Sequence, residues 1–375
     1  MEQEEPLIYN LPQDTLHQIF SSLPLRQIII CRSLSKFFNN LLTSPTFLHH
    51  ISTTLPPLNL LALRHHHYNH HNNHHIHLFD PNLNNWLHFP LNFLPFSSPL
   101  PVASSHGLIY LWAQPNNNNT QAQTQTQTLN TKSLLACNPL TRKFRILPHL
   151  GSAWCRHGSV LVDSVNRVMV LTELAALYYD DNNNKSWQKF SSNLPSKPRS
   201  PVLIEDSAFA LCDVGSPWRS QWKLFSCRVA STMSMIWSRL ERQEWGDVFD
   251  ILKRPRLVRG VGNRILMIGG LKSSFSLNSP CSTILILRLD LGTMEWDEAG
   301  RMPVEMFRCF QDAGKFKVFG AGDRVCFSAK RIGKLALWDR GAEMGDEWRW
   351  IDNVPGNGDG LYRGFVFEGR LDALP

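Results

Sequence analysis

The sequence predicts a mainly β protein, a six-bladed β-propeller preceded by a small module of three short helices. Three observations lead there. An apolar run closed by an acidic or amide residue, then a turn, then a large aromatic, recurs six times. From Trp86 to Trp350 five intervals cover 264 residues, a mean of about 53, close to the roughly 50 of one propeller blade. The first forty-odd residues lack that pattern and carry helical apolar spacing instead.

The helical module is placed at residues 1–50. Leu11-Pro12-Gln13-Asp14 sets Pro near a helix start, and Leu16, Ile19, Phe20 and Leu23 make one apolar stripe that ends at Pro24. Leu25, Ile28, Ile29 and Ile30 mark a second helix. Ser35 can cap a third, carrying Phe37, Phe38, Leu41 and Leu42 and stopped by Ser44-Pro45. Three helices this short cannot hide so many large apolar groups among themselves, so part of that surface should meet a partner.

Residues 51–57, with Leu55-Pro56-Pro57, read as a hinge, and the propeller is expected over 58–375, beginning with a strand at Leu58 to Leu63. The clearest repeat is Ile284 to Pro303, a hairpin in which Asp290 and Gly292 bend the chain and Trp296 heads the returning strand. Equivalent aromatics are Trp86 after Phe79-Asp80-Pro81, Phe144 after Cys137-Asn138-Pro139, and Trp187 after Tyr179-Asp180. Looser copies place Trp237 after Phe225 and Trp350 after Leu337-Trp338-Asp339. A ring at the same place in every unit suits burial between successive blades, where it removes ~150–250 Å² from water. Turns at Asp163 to Asn166 and at Gly262-Asn263 suit tight hairpins. A paired glycine inside a strand is clear only at Gly269-Gly270, so the propeller rests on the aromatic period. Tyr362 to Glu368 should pair with the first blade and close the ring, because an open ring would expose strand edges.

Two inserts interrupt the pattern. Eight histidines between His65 and His77 are repetitively spaced, without Asp, Glu or Cys among them, and read as a polar loop rather than a metal site. Asn116 to Thr128 is a low-complexity loop. Lys253-Arg254-Pro255-Arg256, with Arg259 nearby, is the compact basic cluster; it reads as a solvated interblade loop, with a nuclear signal or a grip for an acidic segment as the alternatives.

Composition limits the function classes. With 43% hydrophobic residues the chain can bury a large core, while no apolar run is long enough for a membrane span and the start, MEQEEP, is acidic. The eight cysteines are scattered singly, as reduced core residues would be. The charge of +7 is mild, with no basic stripe that would suggest direct nucleic-acid binding. No Gly-x-Ser-x-Gly, phosphate-cradling loop or His-Glu-x-x-His is present, so no catalytic residue, metal or cofactor is expected.

The stretch LPQDTLHQIFSSLPLRQIIICRSLSKFFNNLLTSPTF, Leu11 to Phe47, resembles an F-box: the Leu-Pro opening, the helix closed by Leu23-Pro24, Arg32 to Lys36 followed by Phe38, and the final Ser-Pro-x-Phe. Ser33-Leu34-Ser35-Lys36 departs mildly from the family's Cys-Val-Cys-Lys. With its six units the chain resembles the plant F-box/kelch-repeat proteins. The resemblance implies a non-catalytic adaptor that docks on a Skp-family adaptor, and through it a cullin, by Leu11, Pro12, Leu16, Ile19, Phe20, Leu23, Leu34 and Phe38. The propeller would hold an unidentified target for ubiquitination and degradation. A non-degradative nuclear co-regulator and, more remotely, a propeller enzyme are the alternatives. The expected location is intracellular, in nucleus, cytoplasm or both.

Overall fold

The structure, a computed structural model, describes residues 7–64, 75–115, 132–164, 167–180, 184–229, 235–273, 281–311, 315–341, 345–356 and 361–375. The histidine run from 65 to 74 and the low-complexity insert lie outside the described residues.

Four helices, rather than the expected three, precede the strands: α1 (Gln13–Ser21), α2 (Leu25–Arg32), α3 (Lys36–Leu42) and α4 (Pro45–Thr54). Ser35 Oγ accepts the Phe38 N–H at 3.2 Å and caps α3. Ser44-Pro45, read as a stop, also starts α4. Ser44 Oγ accepts the Phe47 N–H at 3.4 Å, and Pro45 occupies the first turn, where its missing N–H costs nothing. The module therefore runs to Thr54, and residues 51–54 of the expected hinge are helical, with Ile51 buried.

The strands form six antiparallel four-stranded sheets. Blade 1 contains β1 (Leu58–Arg64), β2 (His75–Asp80) and β3 (Asn85–Pro90); blade 2, β4 (Phe96–Ser105), β5 (Leu108–Pro115), β6 (Ser133–Asn138) and β7 (Lys143–Ile146). Blade 3 follows a short α5 (Ser152–His157) and contains β8 (Ser159–Ser164), β9 (Arg167–Leu171), β10 (Ala175–Asp180) and β11 (Asn184–Ser191). Blade 4 has β12 (Arg199–Ile204), β13 (Ser207–Asp213), β14 (Trp222–Arg228) and β15 (Ser238–Leu240). Blade 5 has β16 (Leu252–Arg259), β17 (Arg264–Lys272), β18 (Cys281–Asp290) and β19 (Glu295–Arg301). After α6 (Val304–Gln311) comes blade 6, with β20 (Phe316–Ala321), β21 (Arg324–Ala329), β22 (Leu335–Gly341) and β23 (Gly345–Ile351). The last strand, β24 (Arg363–Gly369), pairs with β1 from Leu58↔Gly369 to Arg64↔Arg363, which is the expected closure.

The innermost strands β24, β4, β8, β12, β16 and β20 touch in turn around a closed ring. Middle strands are sandwiched between neighbouring blades, so Val168 to Leu171 and Ile265 to Ile268 are buried residue after residue and read as continuous apolar runs. Four of the eight cysteines, Cys137, Cys212, Cys227 and Cys326, are buried; Cys309 is exposed, and all eight are free. Burial pushes the Cys137 thiol up to about 12, which keeps it protonated and unreactive.

In blades 1, 2 and 5 the residue that ends the third strand also builds the next turn. Asp80 Oδ1 accepts the N–H groups of Asn82 and Leu83, Asn138 Oδ1 that of Leu140, and Asp290 Oδ1 those of Gly292 and Thr293. Four positions after each, the chain takes a left-handed conformation, at Asn84, Arg142 and Met294 (φ 49°, 59° and 63°).

The module and propeller share one core. Leu16, Phe20, Ile28 and Phe47 belong to the same buried cluster as Leu60 and Ile76 of blade 1 and Ile109 and Leu135 of blade 2. Arg26 on α2 ion-pairs with the buried Asp80, and Arg32 Nη1 donates to the Leu140 carbonyl at 3.2 Å. Leu55-Pro56-Pro57 thus joins two parts packed on each other.

Candidate docking surfaces

The eight residues assigned to adaptor binding divide by burial. Leu16, Phe20 and Phe38 are buried and form the module's own core, and Leu23 is half-buried against it. Leu11 (39% exposed), Ile19 (43%), Leu34 (66%) and Pro12 lie at the surface. Two further apolar residues join them, Ile30 (49%) and Phe37 (39%). The signal for these was present in the runs Ile28-Ile29-Ile30 and Phe37-Phe38. At about 100° per residue, a helix cannot turn three consecutive side chains onto one buried face. Phe37 packs edge-on against the half-buried Tyr9 at 5.0 Å, and Tyr9 stacks on the buried Phe38 at 5.7 Å, so the exposed ring is backed by a half-buried ring that rests on a buried one.

Each of the six chosen aromatics sits at a different blade junction. Trp86 joins blade 1 to blade 6, its Nε1 donating to the Asp352 carbonyl at 3.1 Å; Trp187 joins blade 3 to blade 2, donating to Pro148 at 2.8 Å. Phe144 packs edge-on to Phe96 at 6.3 Å beside blade 1, and Trp296 lies 5.8 Å from Trp245 and 6.0 Å from Phe249 of the preceding connection. Trp237 precedes β15 and packs between blades 3 and 4. Trp350 stacks on Phe310 at 6.1 Å, but the register equivalent of Trp296 is Trp348: Leu289 pairs with Trp296 and Trp338 pairs with Trp348. The doubled Trp-x-Trp hid this, because residues two apart on a strand share a face.

Strand direction gives the propeller two distinct ends. The turns after Asp80 and Asn138 lie at the end that carries the module. The starts of the innermost strands, with α5 and α6, lie at the other, roughly 20–25 Å away for seven residues of strand. That far end exposes Leu174 and Trp218 in the links from second to third strands.

The basic run 253–256 is at that far end too, and it is strand rather than solvated loop: it lies in β16. A bulge separates Lys253 from Arg256, with Arg254 at φ 53° before Pro255. The same device recurs in β4 at Ser98-Pro99 and in β12 at Ser200-Pro201, with φ 50° and 44° and a register shift in each. Proline cannot donate to a ladder, so an innermost, edge strand accommodates it at a bulge. Gly269 answers the bulge: a Cβ there would lie 3.1 Å from the Lys253 carbonyl and 3.0 Å from Leu252 Cβ. Among the described residues no His, Cys, Asp and Glu cluster with metal-site geometry occurs, and no helix is long and apolar enough to cross a membrane.

Residues 8–50 match the F-box domain and residues 255–303, which span most of blade 5, match the Kelch motif. A protein of Arabidopsis thaliana described as SKP1-interacting partner 15 is 63% identical over 380 residues, covering 97% of this chain and 98% of the relative. An F-box/kelch-repeat protein of Arabidopsis thaliana is 24% identical over 358 residues, covering 92% and 82% respectively. Among solved structures, the β-propeller domain of the Trilobed protease from Pyrococcus furiosus aligns over 75% of this chain and 77% of its own, at a TM-score of 0.40 and 11% identity.

Proposed function

Because the chain belongs to the F-box/kelch-repeat family, we propose that it is the substrate-recognition subunit of a cullin-based ubiquitin ligase, with the helical module docked on a Skp-family adaptor and the propeller holding the target protein. It acts by juxtaposition and performs no chemical step of its own.

The observation that carries this reading is the division of the module's apolar residues. The buried set already supplies its core, and that core is continuous with the propeller. Leu11, Ile19, Ile30, Leu34 and Phe37 remain outside it, at exposures a soluble surface does not require. Burying each such side chain at an interface is worth ~1.5–3 kcal/mol, so a few of them suffice for a specific contact. A module packed firmly on one end of the propeller also holds the far end at a set distance and orientation from the adaptor, which a flexible hinge would not. The name of the 63% identical relative supports the same partner.

Co-expression with a Skp-family adaptor tests the reading. The expected result is a complex of one chain and one adaptor that survives gel filtration and recruits a cullin. A chain that elutes alone in the presence of excess adaptor would contradict it.

A further inference from the structure

The propeller end opposite the module gathers positive charge where the innermost strands begin. Arg199 starts β12, Arg256 lies in β16, Lys315 precedes β20 with Lys317 inside it, and Arg363 starts β24. A cavity of about 560 Å³ is lined by the first four of these, with the half-buried Phe316 and Leu361 as apolar wall. None of the five cations forms an ion pair among the described residues. Arg199 lies over the Trp222 ring at 4.4 Å, and its buried Nη1 has no hydrogen-bond partner. The carboxylate acting on Arg199, Asp213, spends Oδ1 on the N–H groups of Gly215 and Gln221, at 3.1 and 2.8 Å.

The cations oppose one another. Burial, then Arg363, Arg256 and Arg199, bring Lys317 down to about 8, and burial, then Arg199, Arg363 and Arg254, bring Arg256 down to about 10. The backbone is bent to hold them, with the bulges after Arg199 and Lys253 and the left-handed Ser200 and Arg254 flanking the cavity. Strain and like-charge repulsion kept at one place mark a site whose counter-charge arrives from outside.

We propose that this mouth is an anion site that takes a phosphorylated side chain of the target protein, with a neighbouring apolar residue of the target against Phe316 and Leu361. The inference rests on the reading of the propeller as the target-holding half. Donors converge from three blades on one cavity, with Arg363 of a fourth blade nearby, which suits a compact dianion with three acceptor oxygens better than the flat, two-oxygen carboxylate of Asp or Glu. Nucleic acid would need a basic track along an open surface, and this charge is confined to a mouth.

The test uses the full chain purified with its Skp-family adaptor. The probe is a fluorescein-labelled peptide mixture with a fixed phosphothreonine beside a fixed Leu and other positions randomised, compared with the same mixture carrying Thr or Glu. The phosphorylated mixture should bind at least tenfold more tightly than either, weaken with salt and with millimolar inorganic phosphate, and lose tenfold or more in Arg256→Gln and in Lys317→Gln. Adaptor co-purification and melting temperature in both variants should match or exceed the parent. Equal binding of the three mixtures, or parental phosphopeptide binding in both variants, would overturn the proposal. So would tighter binding of a single-stranded oligonucleotide than of the phosphopeptides. Failure of the adaptor to co-purify would instead sink the functional reading on which the proposal depends.

Discussion

Asp80 does two jobs with two oxygens, and both were half legible. Oδ1 holds the turn N–H groups, a role that the recurrent Asp or Asn after each apolar run announces, while Oδ2 meets Arg26 from α2, a partner 54 residues away that no local pattern reveals. Removing Arg26 leaves a buried carboxylate without its counter-charge. Arg26→Ala should therefore lower stability by about 3 kcal/mol, and Arg26→Leu with Asp80→Asn by clearly less, since Asn serves the same turn at Asn138. Denaturant melts of both variants check this. The left-handed residues at Arg142 and Met294 were not legible, because Gly, Asn and Asp are the usual markers of that conformation. Lys317 yields a pH prediction. Its folded pKa, about 8, lies below its ordinary 10.5, so the unfolded chain binds more protons between those values and this group's contribution to stability rises with pH across that window. Lys317→Met should remove that rise and stabilise the protein at pH 7, by no more than about 1 kcal/mol because solvent screens part of the repulsion. Thermal melts from pH 7 to 10.5 give the slope directly.

At the scale of elements, period and polarity made the blades readable, and ambiguity concentrated where one motif serves two elements. Ser44-Pro45 ends α3 and begins α4, so a reading that expects one boundary loses a helix. The Ser-Pro and Arg-Pro bulges were invisible as a repeat because proline alone suggests a loop, and only the ring supplies an edge strand where it fits. Closure by β24 was legible from the strand deficit of blade 1. Seven residue pairs join β24 to β1, so truncation from Gly360 onward should yield aggregated protein, and a truncated chain that stays monomeric with the parental melt would contradict the closed ring. Trp296→Ala should cost ~3 kcal/mol, read from denaturant melts, by opening the contact with Trp245 and Phe249 between blades 4 and 5.

For the whole molecule, the main departure from expectation is the join between module and propeller. Composition and the Leu-Pro-Pro link suggested separable parts, whereas Leu16, Phe20 and Ile28 pack into the same core as the first two blades. Side-chain burial across such a join depends on tertiary placement that a helical stripe does not encode, which is why Leu16, Phe20 and Phe38 read as docking residues. In the proposed reading the exposed set, Leu11, Ile19, Ile30, Leu34 and Phe37, meets the adaptor at one end and the far end holds the target. Leu11→Ala combined with Leu34→Glu removes two of these side chains from the interface without touching the buried cluster, at about 2 kcal/mol each. The most direct test is quantitative co-purification of the Skp-family adaptor with this double variant. The account predicts adaptor binding weakened several hundredfold at an unchanged melting temperature; parental adaptor binding by the variant would contradict it.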